Sequence, residues 1–325
     1  MLRDRRETAA PDAATGASSV HVGRDGWLFL TGGSNRVLAQ YGRGLRRWWL
    51  LRAWARLIEA RTARAARLGI RCVHTFVPEK LSVYDNLTGG LAYDPGRAST
   101  RILARRLMDL PGYVDLLTPF RAARDGPAPL YQRTDTHWTV DGCLLAYREL
   151  MRALHAVPPA GIGERPRFEI DGVRDLGAKL PGRPSEVVQH WVLQRDAVRS
   201  YANALVETHE AAGRGDELHT GAHVIYRNAA PGIDPRRVIL FGDSYAHFAP
   251  ILLTGLFAES FAEVHFVWSS ALDWTYIEAV RPDIVVAELA ERFLTRLPKD
   301  DYDVETGRRR GLKARAASPA VARAA

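Results

Sequence analysis

A helix-period stripe that gives way within a few residues to an apolar run constrains this chain more than any other feature. Over residues 45–68 the positions Leu50, Leu51, Trp54, Leu57, Ile58, Ala65 and Leu68 recur at helical spacing, with arginines between them. A strand is predicted next, over 71–77, ending at Pro78-Glu79-Lys80. The same rhythm returns late in the chain. A buried strand over 237–241 leads through Gly242-Asp243-Ser244 to a helix over 245–258. A strand over 264–268, a helix over 276–280 and a strand over 283–287 follow. Strands alternating with helices imply an α/β fold with a parallel sheet covered on both faces. Between these blocks the pattern predicts a short strand at Trp27-Leu28-Phe29-Leu30, a helix over 99–108 and a strand over 113–116. A further helix carries Val140, Cys143, Leu144, Tyr147, Leu150, Met151 and Leu154.

The remaining sequence has a different texture. From 157 to 230 proline and glycine are frequent and apolar alternations are short, as in Trp191-Val192-Leu193 and His223-Val224-Ile225-Tyr226. This predicts a β-rich insertion with hairpins inside one domain over 21–298. Residues 1–20 are polar and residues 299–325 basic and alanine-rich, and both are expected to be disordered. The first 20 residues hold no apolar secretory core and no stretch approaches a membrane span, so the expected location is the cytoplasm. Of 325 residues, 46% are hydrophobic and 25% charged, enough to bury a core. The net charge of +8 comes from dispersed arginines, which suits a solvated surface or the steering of an anionic substrate. With no basic stripe and no known module, a nucleic-acid partner is not expected. Trp48, Trp49 and Trp54 beside Arg46, Arg47 and Arg52 also allow a membrane-surface helix. The reading adopted is a helix covering the sheet. Cys72 and Cys143 lie in apolar segments and read as buried free thiols, and no Cys/His spacing suggests zinc.

Two short motifs carry chemistry. Val238-Ile239-Leu240-Phe241-Gly242-Asp243-Ser244 reads as a strand ending in a tight turn, which puts Ser244 at the carboxyl end of a central strand, where open α/β sheets bind ligands. A helix starting just after it would aim free N–H groups at a developing oxyanion, and the N–H of Tyr245 is the expected donor. Ser244 as a plain helix cap remains the alternative. In Thr134-Asp135-Thr136-His137, residues two apart in extended backbone share a side at about 6.5 Å. Asp135 and His137 can therefore converge as a base and its orienting carboxylate; a helix cap or a metal site is the other reading. His247 is a rival base, and Asn86 and Asn228 are further oxyanion donors to consider. Lys80 and Arg133 are candidates for binding an anionic or polyhydroxyl substrate, with structural salt bridging as their alternative. No metal and no cofactor is expected.

Together, Gly242-Asp243-Ser244-Tyr245 and Thr134-Asp135-Thr136-His137-Trp138-Thr139 resemble the SGNH-hydrolase-like O-acetyltransferases of alginate and polysaccharide biosynthesis. Gly26-Trp27-Leu28-Phe29, Val77-Pro78-Glu79-Lys80 with Tyr84, and Glu291-Arg292-Phe293-Leu294 support this in the right order. Glu79 stands where a small or polar residue is the family habit. The resemblance implies an SGNH-like three-layer α/β/α sandwich with a mostly parallel central sheet. It implies a triad of Ser244 as nucleophile, His137 as base and Asp135 as orienting acid, in the family's inverted chain order. The implied function is serine-dependent acyl transfer to a glycan hydroxyl through an acyl-serine intermediate, with a polysaccharide substrate and an acyl donor of open identity, a membrane acyltransferase being one source. Relatives of this kind are periplasmic. A soluble carbohydrate acetyl-esterase and a non-catalytic glycan-binding relative are the alternatives.

Overall fold

The computed structural model describes residues 19–300 together with 303 and 304. These residues include eleven strands, eight α-helices and eight short 3-10 helices. The strands are β1 (Val20–Val22), β2 (Leu28–Leu30), β3 (Arg71–Val77), β4 (Tyr113–Val114), β5 (Arg167–Val173), β6 (Ser185–Trp191), β7 (Val198–Ala202), β8 (His223–Arg227), β9 (Asp234–Gly242), β10 (Phe261–Trp268) and β11 (Ile284–Ala290). The helices are α1 (Leu45–Arg67), α2 (Lys80–Val83), α3 (Ser99–Leu107), α4 (Leu117–Ala123), α5 (Val140–Ala153), α6 (Ala204–Ala211), α7 (Leu253–Ala258) and α8 (Trp274–Val280). Seven strands form one sheet in the order β4-β3-β11-β9-β10-β8-β7. The first five in that order pair in parallel, whereas β8 and β7 add antiparallel at one edge.

Side-chain alternation explains why helices lie on both faces. In β9, Val238 and Leu240 join a core with α5 and α7, while Ile239 and Phe241 point the other way toward α8. In β3, Val73 and Val77 face the first core, whereas Phe76 meets Leu51, Trp54 and Ile58 of α1. Val238 to Phe241 are each at most 1% exposed, a gross gain of about 1.5–3 kcal/mol per side chain. A one-residue slip would exchange the two faces, so the register of β9, and with it the position of Ser244, is strongly held. The chain leaves β9 through α7 to β10 on one side, and returns through α8 to β11 on the other. Ser244 therefore follows a strand where the winding direction reverses, the usual crevice of such sheets.

Several expectations change. Instead of a helix over 245–258, a single turn follows Ser244, with Ala246 and His247 both donating to the Asp243 carbonyl. His247 sits at φ 62, and Pro250 disfavours helical backbone at Ala249 and has no N–H to give, so α7 waits until Leu253. The strand expected over 113–116 is only Tyr113–Val114, because Asp115 turns to cap α4: Leu117 N donates to Oδ1 at 2.9 Å and Thr118 Oγ1 to Oδ2 at 2.5 Å. Residues 157–230 hold one separate hairpin, β5 with β6. They also supply β7 and β8 to the central sheet, so this stretch is more than an insertion. Residues 1–18, 301–302 and 305–325 lie outside the described residues, and with them most of the two expected disordered ends. The ordered chain nevertheless passes 299. Asp300 pairs in two bonds with the buried Arg61, at 2.6 and 2.8 Å, and Val304 packs beside Ala65 and Trp274.

Candidate active site

The loop that carries Asp135 and His137 is pinned at its ends and from both sides. Tyr131 and Trp138 bridge across its base, Gln132 N donates to the His137 carbonyl, and Thr139 then caps α5. Between them the backbone bends and is not extended. Asp135 Oδ1 accepts both the backbone N–H of His137 at 2.9 Å and its ring Nδ1 at 2.7 Å. This side-chain-to-backbone turn, an Asx-type closure, brings the two groups together where extended alternation would have left them parallel.

Across the cleft, His137 Nε2 lies 2.8 Å from Ser244 Oγ. With Nδ1 donating to the carboxylate, Nε2 is the ring's acceptor and the hydroxyl donates to it. Burial alone would raise the Asp135 carboxyl, but the bond and charge of His137 hold it well below the ordinary range. Burial likewise opposes the imidazolium, and the bond and charge of Asp135 outweigh it, so the His137 pKa is raised. The Tyr245 ring lies 4.9 Å from the imidazole and meets Trp138 edge-on at 5.1 Å. The imidazole thus has a carboxylate at one nitrogen, a hydroxyl at the other and an aromatic ring beside it.

Below Ser244 the turn is tied by its own side chain. Asp243 Oδ1 accepts from Tyr245 N at 2.9 Å and Oδ2 from Ala290 N at 2.7 Å. Asp243 N donates to Glu288 Oε2 at 3.1 Å. Burial and the neighbouring Asp243 raise the Glu288 carboxyl well above its ordinary value. Gly242 fits here because a Cβ would come within 2.9 Å of Ala246 Cβ and 3.0 Å of Glu288 Oε2.

Three of the expected roles need correction. Tyr245 N–H is spent on Asp243 and is not free for an oxyanion; its hydroxyl donates to the Thr136 carbonyl and accepts from Arg292, each at 2.6 Å. The N–H left without an acceptor in this turn, among the described residues, is that of Ser244 itself. Lys80 is 3% exposed. Its three N–H bonds reach the carbonyls of Leu28, Gln132 and Arg133 at 2.8, 2.7 and 3.1 Å. Burial lowers its pKa to about 7, against the pull of Asp135 and nearby carboxylates. It is a strut beneath the loop, with nothing to offer a substrate. Asn228 is bound to Ala258 and Ala230. Arg133 is exposed at the loop and keeps its candidacy. Asn86 is exposed, and His247 stacks on Phe248. The free thiols of Cys72 and Cys143 are buried.

Other residues of this site escaped sequence reasoning. Asp175 accepts from Thr136 N at 2.8 Å and Thr136 Oγ1 at 2.6 Å; Glu186 accepts from Arg133 N and Thr134 N, each at 2.7 Å. Nothing in the Pro/Gly-rich texture of 157–230 marks either residue. Arg292 bonds Glu79 at 2.6 Å and lies over the Tyr245 ring, which explains a carboxylate at 79. Glu288 was the legible one, a lone acid inside an apolar strand. Asp135, His137 and Asp175 offer ligand atoms within 4.8 Å of one another. Their oxygens accept from Thr136, His137 and Asp175 N, and the His137 ring nitrogens face Asp135 and Ser244, so a metal here would compete with the bonds that orient the imidazole.

Comparison with known proteins bears on the family and the fold. A Pseudomonas fluorescens protein described as a probable alginate O-acetylase AlgJ is 29% identical over 159 residues, covering 47% of this chain and 37% of that protein. The chain thus matches well under half the length of that relative. The solved O-acetyltransferase domain of Pseudomonas putida AlgJ superposes with a TM-score of 0.54 at 17% identity, over 90% of this chain and 99% of the domain. PatB1 of Bacillus cereus gives 0.57 at 14% identity, over 84% and 96%. At these identities the structures speak for the fold alone: a mixed α/β architecture with a large central sheet. The model of the SGNH hydrolase-like domain of acetyltransferase AlgX matches residues 20–212, which hold Asp135 and His137 and stop short of Ser244. With more than half of its length matched, the chain belongs to this AlgX family of SGNH hydrolase-like acetyltransferase domains.

Proposed function

We propose that this protein is a serine-dependent O-acetyltransferase that acylates a polysaccharide or glycan hydroxyl through an acyl-Ser244 intermediate. The observation that carries this reading is the continuous bond chain from Asp135 through His137 to Ser244, at 2.7 and 2.8 Å. A serine hydroxyl becomes a competent nucleophile when a base takes its proton. His137 Nε2 accepts that proton as Oγ adds to the carbonyl of an acyl ester, and Asp135 stabilises the imidazolium. The Ser244 N–H, not engaged within its turn, is the donor assigned to the oxyanion in this reading. Collapse expels the donor alkoxide, which leaves with the proton from His137. A glycan hydroxyl then gives its proton to His137, adds to the acyl-serine and departs as the new ester, with the proton returned to Ser244. Water in place of the glycan makes the same site an esterase, so the acceptor alone separates the two activities. Membership of an acetyltransferase family favours transfer.

The test is intact-mass spectrometry after mixing with a small activated acetyl ester, followed by addition of an oligosaccharide. We expect an adduct of one acetyl group on Ser244 that is discharged faster with oligosaccharide than with buffer alone. Ser244→Ala should stay folded and lose turnover by several orders of magnitude, since triads act as a unit. Ser244→Ala turnover within about tenfold of the parent would remove Ser244 from the mechanism.

A further inference from the structure

Helix α1 presents two faces with different fates. Leu51, Trp54, Ile58 and Ala65 are buried against the sheet. The opposite stripe, at spacings of three, four, seven and eleven residues from Leu45, carries Trp48, Trp49, Arg52 and Arg56. Leu45 is 79% exposed, Trp48 47% and Trp49 56%. The two indoles meet edge-on at 4.8 Å, and Arg52 lies over Trp48 at 4.6 Å and Trp49 at 5.9 Å. The helix has seven arginines and a single acid, Glu59. Arg61 and Arg64 are paired with Asp300 and Glu278. Arg46, Arg52 and Arg56 have no ion pair among the described residues, so no carboxylate there neutralises them.

The place of this stripe is set by topology. Helix α1 runs into β3 through a short connection and packs on it, so it is antiparallel to the strand. Its first turns therefore lie at the carboxyl edge of the sheet. Trp54 Nε1 donates to the Leu294 carbonyl in the turn that follows β11, at 3.2 Å, which anchors them there. This is the edge that carries Ser244.

We infer that the amino-terminal half of α1 docks the protein on an anionic lipid surface, with the catalytic edge of the sheet turned toward the bilayer. Order along the helix favours lipid over a protein partner. An aliphatic tip, then two indoles, then two guanidinium groups follow one another over about 16 Å. A bilayer presents hydrocarbon, headgroup boundary and phosphate in that sequence over a comparable depth. Indoles favour that boundary, and arginine stems can lie along it while their heads reach phosphate.

The test uses the full chain and sedimentation with vesicles of phosphatidylcholine alone or with about a third anionic phosphatidylglycerol. Binding to the anionic vesicles that weakens with salt is expected, with little binding to the neutral ones. Replacing the two stripe arginines (Arg52→Gln with Arg56→Gln) should lower anionic partition by roughly thirtyfold, each surface-proximal arginine being worth about fivefold. Trp48→Ala with Trp49→Ala should reduce the salt-resistant remainder. Trp48, Trp49 and Arg56 are exposed and Arg52 is half-buried, so circular dichroism should report unchanged folding. Absence of binding at low salt, or binding indifferent to both variant sets, overturns the proposal. Self-association in the absence of lipid that the same variants abolish would overturn it too, by assigning the surface to a second copy of the chain.

Discussion

At the scale of single residues, the site turns on what Asp135 does for His137. Its Oδ1 holds both the backbone N–H and the ring Nδ1 of the histidine, so it sets loop shape and tautomer at once. Asp135→Asn keeps the size and loses the charge. The ring can then settle in the tautomer whose Nε2 bears a proton and cannot accept one from Ser244. In serine proteases this change lowers turnover by roughly 10⁴; with His137 27% exposed at its side chain, a loss of about 10² or more is expected here. The pH profile separates this from a structural effect. Neutral His137 is the active base, so kcat/KM rises with pH through its pKa, which Asp135 holds up. Without that charge, burial prevails and the acid limb should move to lower pH while the plateau falls. A normal rate with a large drop in melting temperature would instead make Asp135 a structural residue. The Asp-x-His spacing was legible in the sequence, but the bend that joins the pair was not, because an Asx turn and an extended strand place the same two residue types two apart.

At the scale of elements, the catalytic loop is short and buries polar groups at Thr134, Asp135 and Thr136, so neighbours must satisfy and hold it. Lys80 at the start of α2 bonds two of its carbonyls from below. Asp175, and Glu186 in β6, take its N–H groups from the segment 157–230. Glu186→Ala should free the Arg133 and Thr134 amides while leaving the sheet intact. Hydrogen exchange at those amides is expected to speed up by about tenfold or more, with turnover falling by roughly 10–100-fold, as small misplacements do. Unchanged exchange at 133 and 134 would show that the clamp is dispensable. This arrangement was invisible in the sequence because Asp175 and Glu186 carry no periodic signal and bond backbone groups, which every residue offers alike. Helix α1 and strand β3 were legible almost to their ends because burial on one helix face, and on both strand faces, writes itself into residue type.

At the scale of the whole molecule, the chain closes on itself through its later part. Asp300 returns to the middle of α1 and pairs with Arg61, whose guanidinium also bonds the Ser270 carbonyl. Arg61 is 3% exposed, so losing its partner leaves an uncompensated buried charge. Asp300→Ala is therefore expected to lower stability by roughly 3–5 kcal/mol, read from urea denaturation, with the site geometry unchanged in the folded fraction. A change under about 0.5 kcal/mol, the ordinary range for surface positions, would mean that Arg61 finds another partner. The same closure places α1 with its arginine-rich face outward and its first turns beside the catalytic edge. Among the described residues no helix is long and apolar enough to cross a membrane; the inferred contact with lipid is one of surface.

The sequence by itself determined the parallel core of the sheet, the helices on either side of it and the two motifs that meet in the cleft. Each of these rests on local periodicity or on a turn with few solutions, and those are properties of neighbouring residues. Only the tertiary structure decided that Ser244 is followed by a single turn in place of a helix, and that Tyr245 spends its N–H on Asp243. It also decided that Lys80 is a buried strut, and that two strands of the irregular segment extend the sheet. In each case the outcome depended on which distant carbonyl or amide lay within reach of a polar group, and no stretch of sequence records that.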